Sequence, residues 1–186
     1  MKLLAPLSLA LVLAGAAWPA DSAKFSLHSA DISPNSTIGE KFVFQGFGCK
    51  GGNVSPSLSW SGAPAGTQSF ALLVHDPDAP TGGAGWWHWV VYDIPASATS
   101  IARGAGTADG AALPNGAKQG VTDFGAAGWG GPCPPEGGGK HHYHFTLHAL
   151  KVAKLDIPAG ATAALIGYMV NANSLGKASF TGLYGR

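Results

Sequence analysis

The chain has 186 residues and a formal net charge of +1, and only 11% of its residues are Asp, Glu, Lys or Arg. That length suits one domain with a real core, and the near-neutral charge offers no field to gather nucleic acid or a membrane surface. Any anion it binds is held by a few local groups, and 28 glycines and 13 prolines favour turns and short strands over long helices.

The first 23 residues read as an export signal. Lys2 precedes an apolar run over 3–13, followed by the small residues Ala14-Gly15-Ala16-Ala17. Signal peptidase requires small residues at −3 and −1, which Ala14 and Ala16 satisfy, and cleavage is expected between residues 16 and 23. The alternative is an uncleaved anchor, but the apolar stretch falls short of the ~20 residues a span needs. No cysteine follows it for a lipid anchor. The expected destination is the periplasm or the medium, with residues 24–186 forming one domain.

Residues 42–47 are short and aromatic and predict a strand. Residues 58–60 alternate and then meet a Pro64-Ala65-Gly66 turn. Residues 69–74, Ser-Phe-Ala-Leu-Leu-Val, predict a buried strand. It ends at Asp76-Pro77-Asp78-Ala79-Pro80, where two prolines forbid its continuation. Residues 87–94 predict the next strand, with His88, Val90 and Tyr92 on one face and Trp87, Trp89 and Val91 on the other. Residues 99–140 read as long Gly- and Pro-rich loops with short strands. Residues 141–150 have a clear period of two: His141, Tyr143, Phe145, Leu147 and Ala149 share one face, and His142, His144, Thr146 and His148 the other. Residues 159–175 predict the one convincing helix, with Leu165, Ile166, Met169 and Val170 in its apolar stripe. Residues 180–184 suggest a last short strand. Many short strands with one late helix predict an all-β fold with minor α, a β-sandwich with Greek-key connections.

Cys49 and Cys133 are the two cysteines. In an exported protein an even count suggests a disulfide, and two buried free thiols are the alternative.

Three segments place polar side chains beside stiff or glycine-rich backbone. Asp76 and Asp78 stand two apart in a proline-braced loop, and can face one cavity or simply be solvated in a surface turn. His88 lies among bulky rings, either as a group titrating near neutrality or as a structural histidine bonded to backbone. Asp123-Phe124-Gly125 and Gly128-Trp129-Gly130-Gly131-Pro132-Cys133-Pro134-Pro135 lead to His141 and Tyr143. Exposed amides of such glycines can bind an anion, or the loop only turns the chain.

In order and spacing these motifs resemble the phosphatidylethanolamine-binding protein (PEBP) family, in its bacterial Raf-kinase-inhibitor-like branch. The resemblance rests on Asp76 to Pro80, Trp87-His88-Trp89-Val90-Val91-Tyr92-Asp93-Ile94-Pro95, Gly130 to Pro135 and His141-His142-Tyr143. Asn53 to Trp60, Gly120 to Gly125 and the ending Phe180-Thr181-Gly182-Leu183-Tyr184 extend it over residues 25–186. It implies a PEBP-like β-sandwich with a small surface pocket for phosphate-like or carboxylate anions, including lipid headgroups. It also implies a pocket lined by Asp76, Asp78, His88, Pro134, Pro135, His141 and Tyr143, with Gly131 nearby. Three positions depart from the pattern: His142 stands where an arginine is usual, His75 where an acidic or polar residue is common, and Lys50 where an acidic residue is usual.

The leading expectation is therefore a binding protein for a small anionic or phosphate-bearing ligand such as a phospholipid headgroup. An inhibitor or modulator of a protein partner, a protease, a kinase-like protein or a host protein, is the second. A hydrolase is the third, but the chain has no Gly-x-Ser-x-Gly elbow and no cysteine clearly poised beside a base. No cofactor is expected. His142, His144 and His148 share a strand face, yet no metal-ligand spacing motif accompanies them, and no metal is expected. Neutral charge argues against nucleic acid, and oligomeric state is left open.

Overall fold

A computed structural model describes residues 24–186. The expected export signal lies outside the described residues. In chain order the strands are β1 (Ser26–His28), β2 (Gln45–Gly46), β3 (Cys49–Lys50), β4 (Leu58–Ser61), β5 (Ser69–Asp76) and β6 (Trp86–Pro95). Then follow β7 (Ser100–Ile101), β8 (Lys118–Gln119), β9 (His141–Leu150), helix α1 (Ala163–Asn173) and β10 (Ser174–Tyr184).

The main sheet has five antiparallel strands in the order β10-β9-β5-β6-β8. Within it β9-β5-β6-β8 is the Greek-key order, because β9 returns from a long excursion to lie beside β5. A three-stranded sheet, β1-β4-β7, packs on one face. Leu27, Leu58, Trp60 and Ile101 from that sheet meet Leu72, Val74, Trp89, Val91, Phe145 and Leu147 from the larger one. Helix α1 covers the other face, where Ile166 and Val170 pack on Ala71, Leu73, Val90 and Leu150. The result is a β-sandwich with one helix outside it.

Position in the sheet explains each strand's pattern. β5 is central and covered on both faces, so its run Ser69–Asp76 is buried throughout except at His75. β9 keeps its predicted alternation, with His141, Tyr143, Phe145, Leu147 and Ala149 buried and His142 and His144 exposed. His148 belongs to the helix-side face and is buried too, with its Nδ1 3.1 Å from Ser174 Oγ.

Three expected elements are corrected. Residues 42–47 are not one strand: Glu40–Phe42 form a 3₁₀ turn, and only Gln45–Gly46 pair, with Cys49–Lys50. The chain reverses at Phe47 and Gly48, whose φ values of 52° and 84° are both left-handed, the requirement of a tight type I′ hairpin. The helix is shorter than the expected 159–175. Pro158 to Ala161 form a turn with Gly160 at φ 74°, and the Thr162 side chain caps the helix by accepting from Leu165 N–H. Leu165 is exposed rather than in the apolar stripe. The last strand begins at Ser174, directly after the helix, and pairs with β9 to Tyr184. Gly176, Lys177 and Ser179 are weak strand formers, so pairing rather than propensity makes this strand.

Cys49 and Cys133, 84 positions apart in sequence, form a disulfide with Cα atoms 6.0 Å apart. It ties the β2–β3 hairpin to the Pro-rich loop before β9. Closing so long a loop restricts the unfolded chain and stabilises the fold by about 2–4 kcal/mol. Reduction with a phosphine, or the paired change Cys49→Ala with Cys133→Ala, is expected to lower the thermal midpoint by about 10 °C. Scanning calorimetry checks this, and an unchanged midpoint would contradict it.

Candidate ligand-binding site

The site forms where the ends of β5, β6 and β9 meet the Gly-Pro loop. β5 delivers Asp76, which is 3% exposed, at the point where Pro77 stops the strand. One of its oxygens accepts from Asp78 N–H at 2.9 Å, and the other accepts from His141 Nδ1–H at 2.7 Å. His141 is itself buried at the first position of β9. This buried pair joins the ends of two strands at the floor of the site, and removing either partner would strand the other in a desolvated place.

His88 reaches the site through a β-bulge. The pairing of β5 with β6 runs Val74 to Trp89 and then His75 to Trp87, leaving His88 as an extra residue on β6. The bulge resets the alternation. Trp89 and Val91 face the inter-sheet core, whereas Trp87 packs with Val90 and Tyr92 on the helix side. The expected sharing of a face by His88, Val90 and Tyr92 is thus corrected: the ring of His88 lies 5.0 Å from that of Tyr143 and 5.3 Å from that of Phe124.

Gly130 clasps His88 from the loop. Its N–H donates to His88 C=O at 2.9 Å, and its carbonyl accepts from His88 Nδ1–H at 2.6 Å. A Cβ at Gly130 would come within 2.3 Å of the Phe124 ring. Gly131 is held by Asn53, whose Oδ1 accepts its N–H at 2.8 Å while the Asn53 amide donates to Trp129 C=O at 3.1 Å. A Cβ at Gly131 would sit 2.1 Å from Phe42 O, so only glycine fits this crossing.

These residues line an open cavity of about 210 Å³. Asp76, His88, Pro134, Pro135, His141 and Tyr143 line it, joined by Phe47, Ala79, Pro80, Thr81, Trp86, Phe124 and Cys133. Six of the eight residues expected from sequence are therefore brought together. Asp78 and Gly131 do not line the cavity. Asp78 Oδ2 instead accepts from His142 N–H at 2.8 Å and from His142 Nδ1–H at 2.7 Å on the outer side. Burial would raise the Asp78 pKa, but these His142 hydrogen bonds outweigh it and lower the pKa. A larger cavity of about 480 Å³ lies beyond Phe124, but no titratable side chain lines it.

Two residues that line the smaller cavity each carry a buried polar atom with no partner: His88 Nε2 and the Tyr143 hydroxyl. Each costs about 1–3 kcal/mol if nothing satisfies it. Burial pushes the His88 pKa down to about 4, against the opposing pull of the Gly130 carbonyl and Asp76. Burial, with Asp76 next, raises the Tyr143 pKa, which keeps its hydroxyl a neutral donor.

The family model for phosphatidylethanolamine-binding protein matches residues 28–185. The chain belongs to the phosphatidylethanolamine-binding protein family. It is 51% identical to the UPF0098 protein YbcL of Escherichia coli (strain K12), over 93% of this chain and 94% of that one. It is 43% identical to YbhB of the same organism, over 85% and 98%. The crystal structure of E. coli YbcL, described as a new member of the mammalian PEBP family, matches with a TM-score of 0.85 over 88% of this chain and 99% of that one. The PEBP homolog CT736 of Chlamydia trachomatis D/UW-3/CX matches at 30% identity and a TM-score of 0.72, over 87% and 97%.

Against the PEBP pattern, His142 in the place of the usual arginine still partners Asp78, outside the cavity. The departure therefore leaves the cavity's own groups unchanged. Sequence reasoning missed Phe47, Trp86 and Phe124 as lining residues and Asn53 as the support of Trp129 and Gly131. Phe124 lay inside a segment already marked by its glycines. Phe47 carried a fainter signal, a large aromatic between two glycines that proves to be 67% exposed at the hairpin tip. Among the described residues no group of three or more His, Cys, Asp or Glu side chains is placed to hold a metal.

His88 and His148 are both held neutral, each lowered by burial from 6.5 to about 4. The unfolded chain binds these protons near pH 6.5, and the folded chain does not until about pH 4. The stability they confer is complete above the higher value and drains as the pH falls toward the lower one. Urea unfolding is expected to show a loss of about 2–5 kcal/mol across that window, with the slope reduced in His148→Gln. A flat profile would contradict it.

Proposed function

We propose that this protein is an exported, non-catalytic receptor for a small phosphate-bearing or other oxyanionic ligand, bound in the cavity beside Asp76, His88, His141 and Tyr143. The observation that carries this reading is the pair of unpartnered buried polar atoms, His88 Nε2 and the Tyr143 hydroxyl, on two residues that line one small cavity. A ligand that engages both would relieve two desolvated groups at once. Membership of the PEBP family supports ligand binding in general terms. The absence of an activated nucleophile in the lining supports binding rather than hydrolysis. Cys133 lines the cavity but is spent in the disulfide.

Isothermal calorimetry of the mature protein with phosphate, acetate and phosphoethanolamine tests this. Saturable binding is expected for at least one. Asp76→Asn should weaken it by about tenfold or more, because His141 loses the charged partner that orients it. Flat titrations against all three would remove the reading.

Export is supported by the apolar and small-residue pattern of residues 1–23 and by the disulfide, a bond that persists in oxidising compartments. N-terminal sequencing of the protein recovered from the periplasm or medium is expected to find a start between residues 17 and 24. Recovery only as the full-length chain in the cytosol would contradict it.

A further inference from the structure

One side of the sandwich stays open between two sheet edges. β1 is an edge strand of the smaller sheet and β10 an edge strand of the larger, and an open groove of about 570 Å³ runs between them. Phe25, Leu27 and Phe180 form its floor and pack with the core behind it. Lys24 and His28, which alternate with Phe25 and Leu27, stand on one rim, and the exposed Lys177 stands on the other. No carboxylate lines this groove, and neither lysine has an ion-pair partner among the described residues.

The chain itself covers part of the outer edge of β10. Asn35 N–H donates to Thr181 C=O at 2.7 Å, Ile38 N–H to Leu183 C=O at 2.7 Å, and Leu183 N–H to Ser36 C=O at 2.9 Å. In this stretch the odd-numbered residues of β10 therefore turn their backbone groups away from β9. The register continues unbroken back to Lys177, so the N–H and C=O of Lys177 and Ser179, and the N–H of Thr181, point outward as well. None of these five groups has a backbone partner among the described residues. The covering segment ends at Asn35, and the groove opens beyond it.

We propose that the Lys177–Thr181 edge of β10 docks an extended, acidic peptide segment of a partner protein, which joins the larger sheet as a sixth strand. Alternating donors and acceptors suit a peptide backbone, which supplies both, and not a polyphosphate, which supplies acceptors alone. Five residues at about 3.3 Å each fill the edge, roughly 17 Å in all. Apolar side chains of the incoming strand lie over the aromatic floor, and acidic ones on the alternate face reach the lysines at the rims. The same lysines decide against other occupants. A second copy of this chain would bring like charges together, and an apolar strand would leave the lysines without a counter-charge. The groove shares no residue with the small cavity at the ends of β5, β6 and β9, so the two sites stand or fall separately.

The test is an NMR titration of the ¹⁵N-labelled mature protein with the end-blocked peptide Glu-Val-Glu-Val-Glu. Two comparison peptides are Lys-Val-Lys-Val-Lys, which reverses the charge, and Glu-Pro-Glu-Pro-Glu, which keeps the charge but lacks two of the N–H groups a strand needs. Saturable shifts are expected for the amides of residues 24–28 and 177–181, with slowed hydrogen exchange at Lys177 and Ser179. Both comparison peptides should bind at least about tenfold more weakly.

Ser179→Pro removes one outward N–H and leaves the hydrogen bonds to β9 in place. It should abolish binding while the thermal midpoint stays within about 3 °C. If that variant does not fold, Lys177→Glu decides: the acidic peptide should weaken by at least about tenfold and the basic one tighten. Absence of saturable shifts, or shifts centred on another surface, would overturn the proposal. Equal binding of the valine and proline peptides would reduce the site to plain charge attraction and overturn it too. Binding by protein that begins at Lys24, but not by protein that begins at residue 17, would give the edge to the chain's own N-terminal segment instead. Dimerisation that Ser179→Pro abolishes would give it to a second copy, and either result contradicts a partner's acidic strand.

Discussion

The clasp between His88 and Gly130 is the constraint on which the rest of the site depends. Two hydrogen bonds, one to the backbone and one to the ring, fix where the imidazole points and which nitrogen carries its proton. Each surrounding feature serves that geometry. The bulge in β6 turns His88 from the helix side to the cavity side. Gly130 has no side chain because Phe124 occupies the space, and Gly131 has none because the backbone of Phe42 crosses there. Asn53 holds the two ends of that crossing by its amide. The disulfide then ties the neighbouring hairpin, with Phe47 at its tip, to the same loop.

The energetics are those of a polar site set into a close-packed sandwich. Trp89, Trp129, Tyr143 and Phe145 fill the core directly behind it, and their burial is the main source of stability there. Into that apolar setting the fold places Asp76 and His141, which satisfy each other, and His88 and Tyr143, which are each left with one atom unsatisfied. A fold tolerates a few such orphans, and they concentrate where a ligand completes them. Burial keeps His88 neutral although Asp76 nearby pulls its pKa upward. The two imidazoles therefore do different work: His141 orients the Asp76 carboxylate at the floor, and His88, held by Gly130, leaves Nε2 without a partner.

Much of this was legible in the sequence, for reasons that can be named. β5 and β9 were readable because a central strand is apolar throughout and a half-covered strand alternates. The alternation of β9 also put His141 and Tyr143 on the inward face. The bulge at His88 was not readable, because a period of two carries no sign of one extra residue, and every face assignment before the bulge inverts with it. The boundary between α1 and β10 was misplaced because Ala159 to Ala164 looks helical while Pro158, Gly160 and the Thr162 cap delay the start. Residues 174–179 pair with β9 despite weak propensity. Phe47 and Phe124 were invisible as partners because the contact between them, with centroids 5.9 Å apart, joins loops 77 residues apart in sequence. The disulfide was foreseeable as a choice between two states, and only the 6.0 Å Cα separation decides it.

The central claim is that His88 stands neutral in the cavity, protonated on Nδ1 and bare on Nε2. Long-range nitrogen–proton NMR correlation on the ¹⁵N-histidine-labelled protein reads this state without any ligand. The account predicts a single Nδ1–H tautomer for His88 at neutral pH, with its ring titrating only as the solution approaches about pH 4. A ring that is an imidazolium at neutral pH, or one that carries its proton on Nε2, would contradict it.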